Sequence, residues 1–278
     1  MIGVYDSGVG GLSVLRSLTE LMPSQSYMYL ADSGHGPYGE RDSGHVMERA
    51  ERVTDWMIGR GVNALVVACN TATAVAIEPL RLAHPELPII GVEPALKPAV
   101  ALSRTGRVGV MATRATLTSL KFQRLLGSLK DQAHFEMRAC DGLAMAIERC
   151  VEPDPKGQTP PEVLAQLRAC ATAHVRALGP LGSAGVDVIV LGCTHYPLIS
   201  PLLQELAGPN VHLLDTGPAV ARQTCKRLEE AGWARPAKGP EEKGEVELLT
   251  TGQMTALEAA ARRWIDSLPL RPTVLPLP

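Results

Sequence analysis

Two stretches of the chain predict the same buried strand, and each stretch ends at a cysteine. Residues 185–194 are Gly-Val-Asp-Val-Ile-Val-Leu-Gly-Cys-Thr, and residues 61–70 align with them without a gap as Gly-Val-Asn-Ala-Leu-Val-Val-Ala-Cys-Asn. Unbroken apolar runs rich in β-branched residues are typical of parallel strands covered on both faces. Because open α/β sheets bind ligands at the carboxyl ends of their strands, Cys69 and Cys193 lie where a functional site is expected.

The rest of the chain alternates short apolar runs with amphipathic segments. This alternation indicates parallel sheets wound by right-handed crossovers. Beyond about residue 96 the pattern restarts, since Arg107-Val-Gly-Val is similar to Met1-Ile-Gly-Val. Together with the two cysteine strands, this similarity predicts an internal duplication.

Composition excludes several classes of protein. A net charge of −2 and an aromatic content of 4% leave neither a basic footprint nor a base-stacking platform, so no nucleic-acid partner is expected. No apolar run approaches the ~20 residues of a membrane span, and Met1 lies in an apparent strand rather than a signal peptide. We therefore expect a cytoplasmic protein without a membrane partner. The six cysteines have neither zinc spacing nor the context of a disulfide framework, so no metal is predicted.

A glycine-rich turn, Asp6-Ser-Gly-Val-Gly-Gly11, follows the first predicted strand and precedes a helix. Such a turn lets the backbone approach an anion, with N–H groups of the helix pointing at it. The glycine spacing does not match the dinucleotide fingerprint. Because a bare glycine-rich turn is more often only a tight turn, a binding role stays open at this point.

Two thiols at helix starts allow more than one kind of chemistry. A helix N-terminus favours the thiolate and lowers the pKa of a thiol. A nucleophile needs only one cysteine with a base, whereas two equivalent groups facing across a cleft suit inversion at one carbon. The plain alternative is that Cys69 and Cys193 are buried packing residues. Their matching frames, each followed by polar residues, favour a functional pair.

Six segments carry a family resemblance: Asp6-Ser-Gly-Val-Gly-Gly11, Pro37-Tyr-Gly39, Ala68-Cys-Asn-Thr-Ala72, Gly109-Val-Met-Ala-Thr113, Leu191-Gly-Cys-Thr-His-Tyr-Pro197 and Leu248-Leu-Thr-Thr-Gly252. They resemble the cofactor-independent glutamate racemases of bacterial cell-wall synthesis, within the aspartate/glutamate racemase superfamily. The resemblance runs nearly end to end. Its two cysteine motifs are highly specific, whereas the glycine turn alone is not.

This resemblance implies an α/β fold of two pseudo-symmetric three-layer domains, with mostly parallel central sheets and the active site in the cleft between them. Residues 1–96 and 208–278 are expected to form the first domain and residues 97–207 the second. The implied activity is interconversion of L-glutamate and D-glutamate without a cofactor or metal, which supplies D-glutamate for peptidoglycan. The expected partner is this small-molecule substrate. The assembly stays open, with a homodimer among the arrangements of the family.

By the same resemblance, Cys69 deprotonates D-glutamate and Cys193 deprotonates L-glutamate. Asp6, His195 and Glu148 are expected to assist them as further catalytic groups. N–H and O–H groups at helix starts suit the two carboxylates of the substrate. The expected substrate-binding residues are Asp6, Ser7, Tyr38, Gly39, Asn70, Thr71, Thr113, Thr116, Thr118, Thr194 and His195.

The chain also departs from the family. The stretch Cys140-Asp-Gly-Leu-Ala-Met-Ala-Ile-Glu148 lacks the usual prolines, which leaves the placement of Glu148 open. No activator-binding extension precedes Met1, so activity without an activator is expected. The alternatives are an aspartate or broader racemase, a thiol-redox protein with a Cys69–Cys193 disulfide, and a binding module that inhibits a DNA-handling enzyme.

Overall fold

Parallel strands organise the chain into two sheets. The computed structural model describes residues 1–151, 159–233, 244–265 and 270–272. The strands are β1 (Ile2–Asp6), β2 (Tyr27–Ala31), β3 (Ala64–Val67), β4 (Ile89–Gly91), β5 (Arg107–Ala112), β6 (His134–Ala139), β7 (Val188–Gly192), β8 (His212–Leu214), β9 (Val246–Thr250) and β10 (Leu270–Pro272).

The two sheets share one strand order. Within the described residues, the first sheet runs β10-β9-β2-β1-β3-β4 and the second runs β6-β5-β7-β8, with parallel pairing throughout. The order β2-β1-β3-β4 therefore corresponds strand for strand to β6-β5-β7-β8. This is the pseudo-symmetry that the repeated sequence predicts. The C-terminal strands β9 and β10 extend the first sheet beyond β2.

Helices connect these strands, as the alternation of apolar runs and amphipathic segments predicts. The helix after Cys69 begins at Asn70, directly after the cysteine. In the described part of the chain, no helix combines the length and apolar character that crossing a bilayer demands. The helices are α1 (Leu12–Leu21), α2 (Ser43–Gly59), α3 (Asn70–Ala83), α4 (Leu96–Leu102), α5 (Arg114–Thr118), α6 (Leu120–Gly127), α7 (Leu143–Arg149), α8 (Pro161–Arg176), α9 (Ser200–Ala207), α10 (Gly217–Glu230) and α11 (Met254–Trp264).

Apolar side chains fill both faces of the sheets. Successive residues of a strand point to opposite faces, so Val4 packs in one buried cluster with Val66, and Tyr5 packs in another with Val67. The cluster that contains Val4 continues into the second unit, where Ile189 of β7 belongs to it. The result is the expected three-layer arrangement, with one apolar core shared by the two units.

The strands divide between the sheets close to the predicted domain boundary. One difference concerns β8, which pairs with β7 through Val188 and His212. The second sheet therefore extends past residue 207, the predicted end of the second domain. A three-residue strand carries too little pattern to indicate its sheet, because only the register against β7 decides it. The limits of the domains otherwise stay a prediction.

Asp187 forms hydrogen bonds to the segment that connects the first sheet to the second. Its carboxylate accepts hydrogen bonds from Ser103 Oγ at 2.6 Å, Thr105 Oγ1 at 2.9 Å and the N–H groups of Arg104 at 2.8 Å and Thr105 at 3.1 Å. Burial raises the pKa of Asp187, but these hydrogen bonds outweigh it and hold the pKa below 3.8. Since β7 begins at the next residue, the bonds tie the crossover to the strand that carries Cys193.

We expect Asp187→Asn to lower the free energy of unfolding at pH 7 by about 1–3 kcal/mol, because an amide nitrogen then faces donors that need an acceptor. A lowered folded-state pKa gives stability that is present above pH 3.8 and is lost as the pH falls through that pKa. Denaturant titrations should therefore show the gap between wild type and variant shrinking from pH 7 towards pH 2. The exposed Asp131→Asn is the matched control, and a gap that persists at pH 2 would contradict the assignment.

Candidate active site

The two cysteines occupy equivalent positions in the two sheets. Cys69 follows β3 and is the N-cap of α3, and Cys193 follows β7. Both side chains are buried, with 5% and 7% of their surface exposed. They lie close enough that charge on Cys193 contributes to raising the pKa of Cys69. A chain of polar side chains starts at each sulfur atom.

At Cys69 the polar chain runs through Ser7 to Asp6. The sulfur lies 3.7 Å from Ser7 Oγ, which lies 3.5 Å from Asp6 Oδ1. The N–H of Ala72 donates to the sulfur at 3.5 Å. Burial nevertheless raises the pKa of the Cys69 thiol well above its usual range, and the charge of Asp6 adds to this. The lowered pKa predicted from the helix start is therefore wrong for Cys69, because desolvation outweighs the N–H group.

At Cys193 the polar chain runs through His195 to Glu148. Cys193 Sγ lies 3.7 Å from His195 Nδ1, and His195 Nε2 lies 2.6 Å from Glu148 Oε1. Burial lowers the pKa of His195, but the hydrogen bonds to Cys193 and Glu148 outweigh it and raise the pKa well above its usual range. An imidazolium between a sulfur and a carboxylate can protonate the sulfur or stabilise its thiolate. The altered stretch before Glu148 therefore still delivers this carboxylate to His195.

The glycine-rich turn binds the carboxylates of both polar chains. The N–H of Val9 donates to Glu148 Oε1 at 2.8 Å, and the N–H of Gly11 donates to Asp6 Oδ2 at 2.6 Å. The turn precedes α1, so these N–H groups lie at the positive end of the helix dipole. It is an anion-binding turn, as its composition allows, and the anions that it binds here are side chains of the protein.

Two glycines of this turn let the second unit come close. A Cβ atom at Gly8 would lie 1.9 Å from Glu148 Oε1, and one at Gly10 would lie 2.3 Å from His195 Nδ1. Both distances are far below van der Waals contact. The missing side chains are therefore a condition for seating His195 and Glu148 against the first unit.

Asp6 joins the two halves of the site. Its Oδ2 atom also accepts a hydrogen bond from the hydroxyl of Thr194 at 3.2 Å. Burial raises the pKa of Asp6, and the charge of His195 and the N–H of Ser7 offset only part of the shift. A carboxyl group with a raised pKa beside Cys69 can take up or release a proton close to that thiol.

Three of the predicted threonines meet across the cleft. Thr71 Oγ1 lies 3.0 Å from Thr113 Oγ1, and Thr113 donates to Thr116 Oγ1 at 2.9 Å. Gly39 packs on the same group, since a Cβ atom there would lie 2.7 Å from Thr113 Cγ2. Thr118 is not part of this cluster: it is exposed, and its hydroxyl donates to a backbone carbonyl one turn earlier.

Asn70 presents a buried amide that lacks a partner. Its side chain is 3% exposed, and neither Oδ1 nor Nδ2 has a hydrogen-bond partner within the described residues. Leaving such an amide unpaired costs free energy. This side chain, directly after Cys69, can therefore gain from a ligand that supplies both a donor and an acceptor.

Tyr38 is committed to a buried ion pair. Its hydroxyl donates to Asp32 Oδ2 at 2.5 Å, and Arg49 donates to both oxygens of Asp32 at 2.9 Å. Thr251, from the segment after β9, donates to Asp32 Oδ1 at 2.9 Å. Burial raises the pKa of Asp32, but these bonds outweigh it and hold the pKa below 3.8. The phenol proton of Tyr38 thus serves the protein's own network.

Sequence reasoning missed Arg49, although the pattern contained a signal for it. Val46, Ala50 and Val53 form the apolar face of α2, and Arg49 lies on that face with 4% of its surface exposed. A charged residue at a core position is rarely buried without a partner. An arginine on an apolar stripe is therefore a reason to search strand ends, such as that of β2, for a carboxylate.

A cavity of about 250 Å³ opens beside this site. Its walls come from both units and from the C-terminal elements, and they include Ser7, Gly36, Pro37, Met145, Glu148 and Gln253. Among the described residues, no three His, Cys, Asp or Glu side chains come together as a metal ion requires.

Comparison with known proteins agrees with this geometry. Residues 9–224 match the family described as Asp/Glu/hydantoin racemase. A glutamate racemase from Pseudomonas paraeruginosa is 42% identical over 268 residues, which cover 96% of this chain and 89% of that protein.

Solved structures give the same result. The glutamate racemase isoform RacE1 from Bacillus anthracis superposes with a TM-score of 0.82 at 27% identity, covering 100% of this chain and 98% of that one. The Escherichia coli glutamate racemase, solved with L-glutamate and the activator UDP-MurNAc-Ala, gives 0.77 at 28% identity, covering 99% and 98%. The resemblance and the two-domain α/β fold expected from the sequence are confirmed, and the chain belongs to the Asp/Glu/hydantoin racemase family.

Proposed function

We propose that this protein interconverts L-glutamate and D-glutamate by moving a proton at Cα without a cofactor, and so supplies D-glutamate for peptidoglycan synthesis. The observation that carries the proposal is the equivalent placement of Cys69 and Cys193. Each cysteine follows an equivalent strand, and a chain of polar side chains starts at each sulfur. A racemase must remove a proton from one face of Cα and deliver one to the other. Relatives with 42% and 48% identity over most of this chain are glutamate racemases.

In each direction of the reaction, one thiol acts as the base and the other as the acid. From L-glutamate, Cys193 acts as a thiolate held by the His195 imidazolium and takes the Cα proton, so that an S–H bond replaces the C–H bond. Cys69, whose raised pKa keeps it protonated, then donates its proton to the opposite face of the carbanion. From D-glutamate the same steps run in reverse. After a turnover from L-glutamate, Asp6 returns a proton to Cys69, and the Glu148–His195 pair takes up the proton that Cys193 gained.

The two carboxylates and the ammonium group of glutamate need polar partners in a buried site. The unpaired amide of Asn70 supplies a donor and an acceptor, and the hydroxyl groups of Thr71, Thr113 and Thr116 can turn from one another to a carboxylate. Asp6 is the proposed acceptor for the ammonium. The other proposed contacts are Ser7, Tyr38, Gly39, Thr194 and His195, while Thr118 lies outside this group.

The proposed setting is the cytoplasm, with glutamate as the partner and neither a membrane nor a nucleic acid involved. A homodimer stays a prediction from the family resemblance. The proposed reaction depends neither on the cytoplasmic setting nor on a dimer. All residues of the polar networks at Cys69 and Cys193 come from one copy of the protein.

Incubation with L-glutamate in deuterated water tests the proposed reaction. With no cofactor added, we expect D-glutamate to appear with deuterium at Cα, followed by proton NMR and chiral chromatography. The same measurement with L-aspartate shows whether a shorter side chain is accepted. If folded and reduced protein racemises neither amino acid, the proposal is contradicted.

Replacing either thiol should remove the reaction. We expect Cys69→Ser and Cys193→Ser each to lower kcat for racemisation in both directions by about 10²- to 10⁴-fold, because a hydroxyl is a far weaker base than a thiolate. Cys225→Ser, the same change in a half-exposed cysteine on α10, should keep the wild-type rate. Near-normal turnover in either active-site variant would rule out the two-cysteine mechanism.

A single added methyl group should disturb the Cys193 half. Gly10→Ala places a Cβ atom 2.3 Å from His195 Nδ1, so the ring must leave its position between Cys193 and Glu148. A misplacement of about 1 Å can cost about 10²-fold in rate, which is the fall in kcat/KM that we expect. Gly59→Ala is the control, because no heavy atom lies within 4 Å of its new methyl group. Unchanged kinetics in Gly10→Ala would exclude a role for the fixed His195 ring.

A further inference from the structure

A serine in the first turn of α1 reaches from the first unit to the second. Ser13 is buried, with 1% of its surface exposed. Its Oγ atom lies 2.8 Å from the backbone oxygen of Thr194 and 2.9 Å from that of Gly10. One hydroxyl proton serves one acceptor at a time. The bond to Thr194 joins residues that are 181 positions apart in the chain.

Thr194 is thus held at both ends by the first unit. Its hydroxyl donates to Asp6 at 3.2 Å, and its carbonyl accepts from Ser13. Because Thr194 stands between Cys193 and His195, these two bonds set the orientation of the peptide that separates the sulfur from the imidazole. The strand before Cys193 cannot set this orientation by itself, since β7 ends at Gly192.

The next serine of the same helix makes no such contact. Ser17 is also buried, with 6% exposed, and its hydroxyl lies 3.5 Å from the carbonyl of Ser13 in the preceding turn. The two serines therefore share their helix and their burial. They differ in whether the hydroxyl reaches the segment after β7.

We propose that Ser13 is a positioning residue for the segment from Cys193 to His195, and that it acts on one face of the reaction only. The inference rests on the proposed racemisation, in which Cys193 serves L-glutamate. Ser13 makes no contact with Cys69 or Ser7 in the described hydrogen bonds. Its loss therefore displaces Cys193, whereas Cys69 stays fixed as the N-cap of α3 with the N–H of Ala72 on its sulfur.

Isotope effects can separate such a one-sided change from general loosening. When Cys193 is misplaced, removal of the Cα proton from L-glutamate becomes more rate-limiting, so the primary deuterium isotope effect in that direction rises. From D-glutamate, Cys69 removes the Cα proton and the misplaced Cys193 acts only in the later step. Removal of the Cα proton therefore becomes less rate-limiting in this direction, and the isotope effect falls. A loosened fold would change both isotope effects in the same direction.

The experiment compares Ser13→Ala with Ser17→Ala, using glutamate that carries deuterium at Cα. For Ser13→Ala we expect kcat/KM about tenfold below wild type, from one unpaired buried carbonyl, with the isotope effect raised from L-glutamate and lowered from D-glutamate. Ser17→Ala should stay within about twofold of wild type in every measurement. Ser13→Cys, which keeps a donor at this position but weakens it, should show the same pattern to a smaller degree.

A second readout does not depend on turnover. Alkylation by iodoacetamide, followed for each cysteine by peptide mass spectrometry, should change its rate at Cys193 in Ser13→Ala and stay unchanged at Cys69. An inactive wild type with this selective change would reject the racemisation and retain the positioning of Cys193. An active wild type whose Ser13→Ala variant behaves like Ser17→Ala, or whose two isotope effects shift together, would overturn the inference alone.

Discussion

The hydrogen bonds between the turn before α1 and the carboxylates of Asp6 and Glu148 are the contacts on which the site depends. They bring an anion from each unit to one helix start, where N–H groups without helical partners are available. Without them, the half-buried carboxylate of Glu148 would have to rely on His195 alone for its charge balance. The glycine-rich turn therefore joins the Cys69 half and the Cys193 half into one site.

The two halves repeat the same backbone but differ in their electrostatics. Both cysteines follow equivalent strands, yet Cys69 is buried beside a carboxyl group whereas Cys193 faces an imidazole with a raised pKa. A reaction that takes a proton from one face and gives one to the other needs one base and one acid at a time. Duplication supplies the geometry, and Asp6 beside Cys69 and His195 beside Cys193 supply the difference in electrostatics.

The correctly predicted parts were those that local sequence controls. Apolar runs and glycine turns indicated the strands, and the repeated frame around Cys69 and Cys193 indicated the matching sheets. The features that were predicted wrongly or missed depend on distant parts of the chain. The pKa of Cys69 follows burial by the whole fold, β8 is assigned to its sheet by register alone, and the burial of Arg49 follows from its pairing with Asp32.

The sequence by itself determined the alternation of parallel strands and helices in each repeat, the residue types at the strand ends and the family. Tertiary structure alone decided that the glycine-rich turn binds Glu148, and that Ser13 reaches Thr194. The physical reason is that strand and helix patterns come from periodicities of two and 3.6 residues, which are local. Contacts between residues more than a hundred positions apart depend instead on how two separately wound sheets pack, and no short-range pattern encodes that.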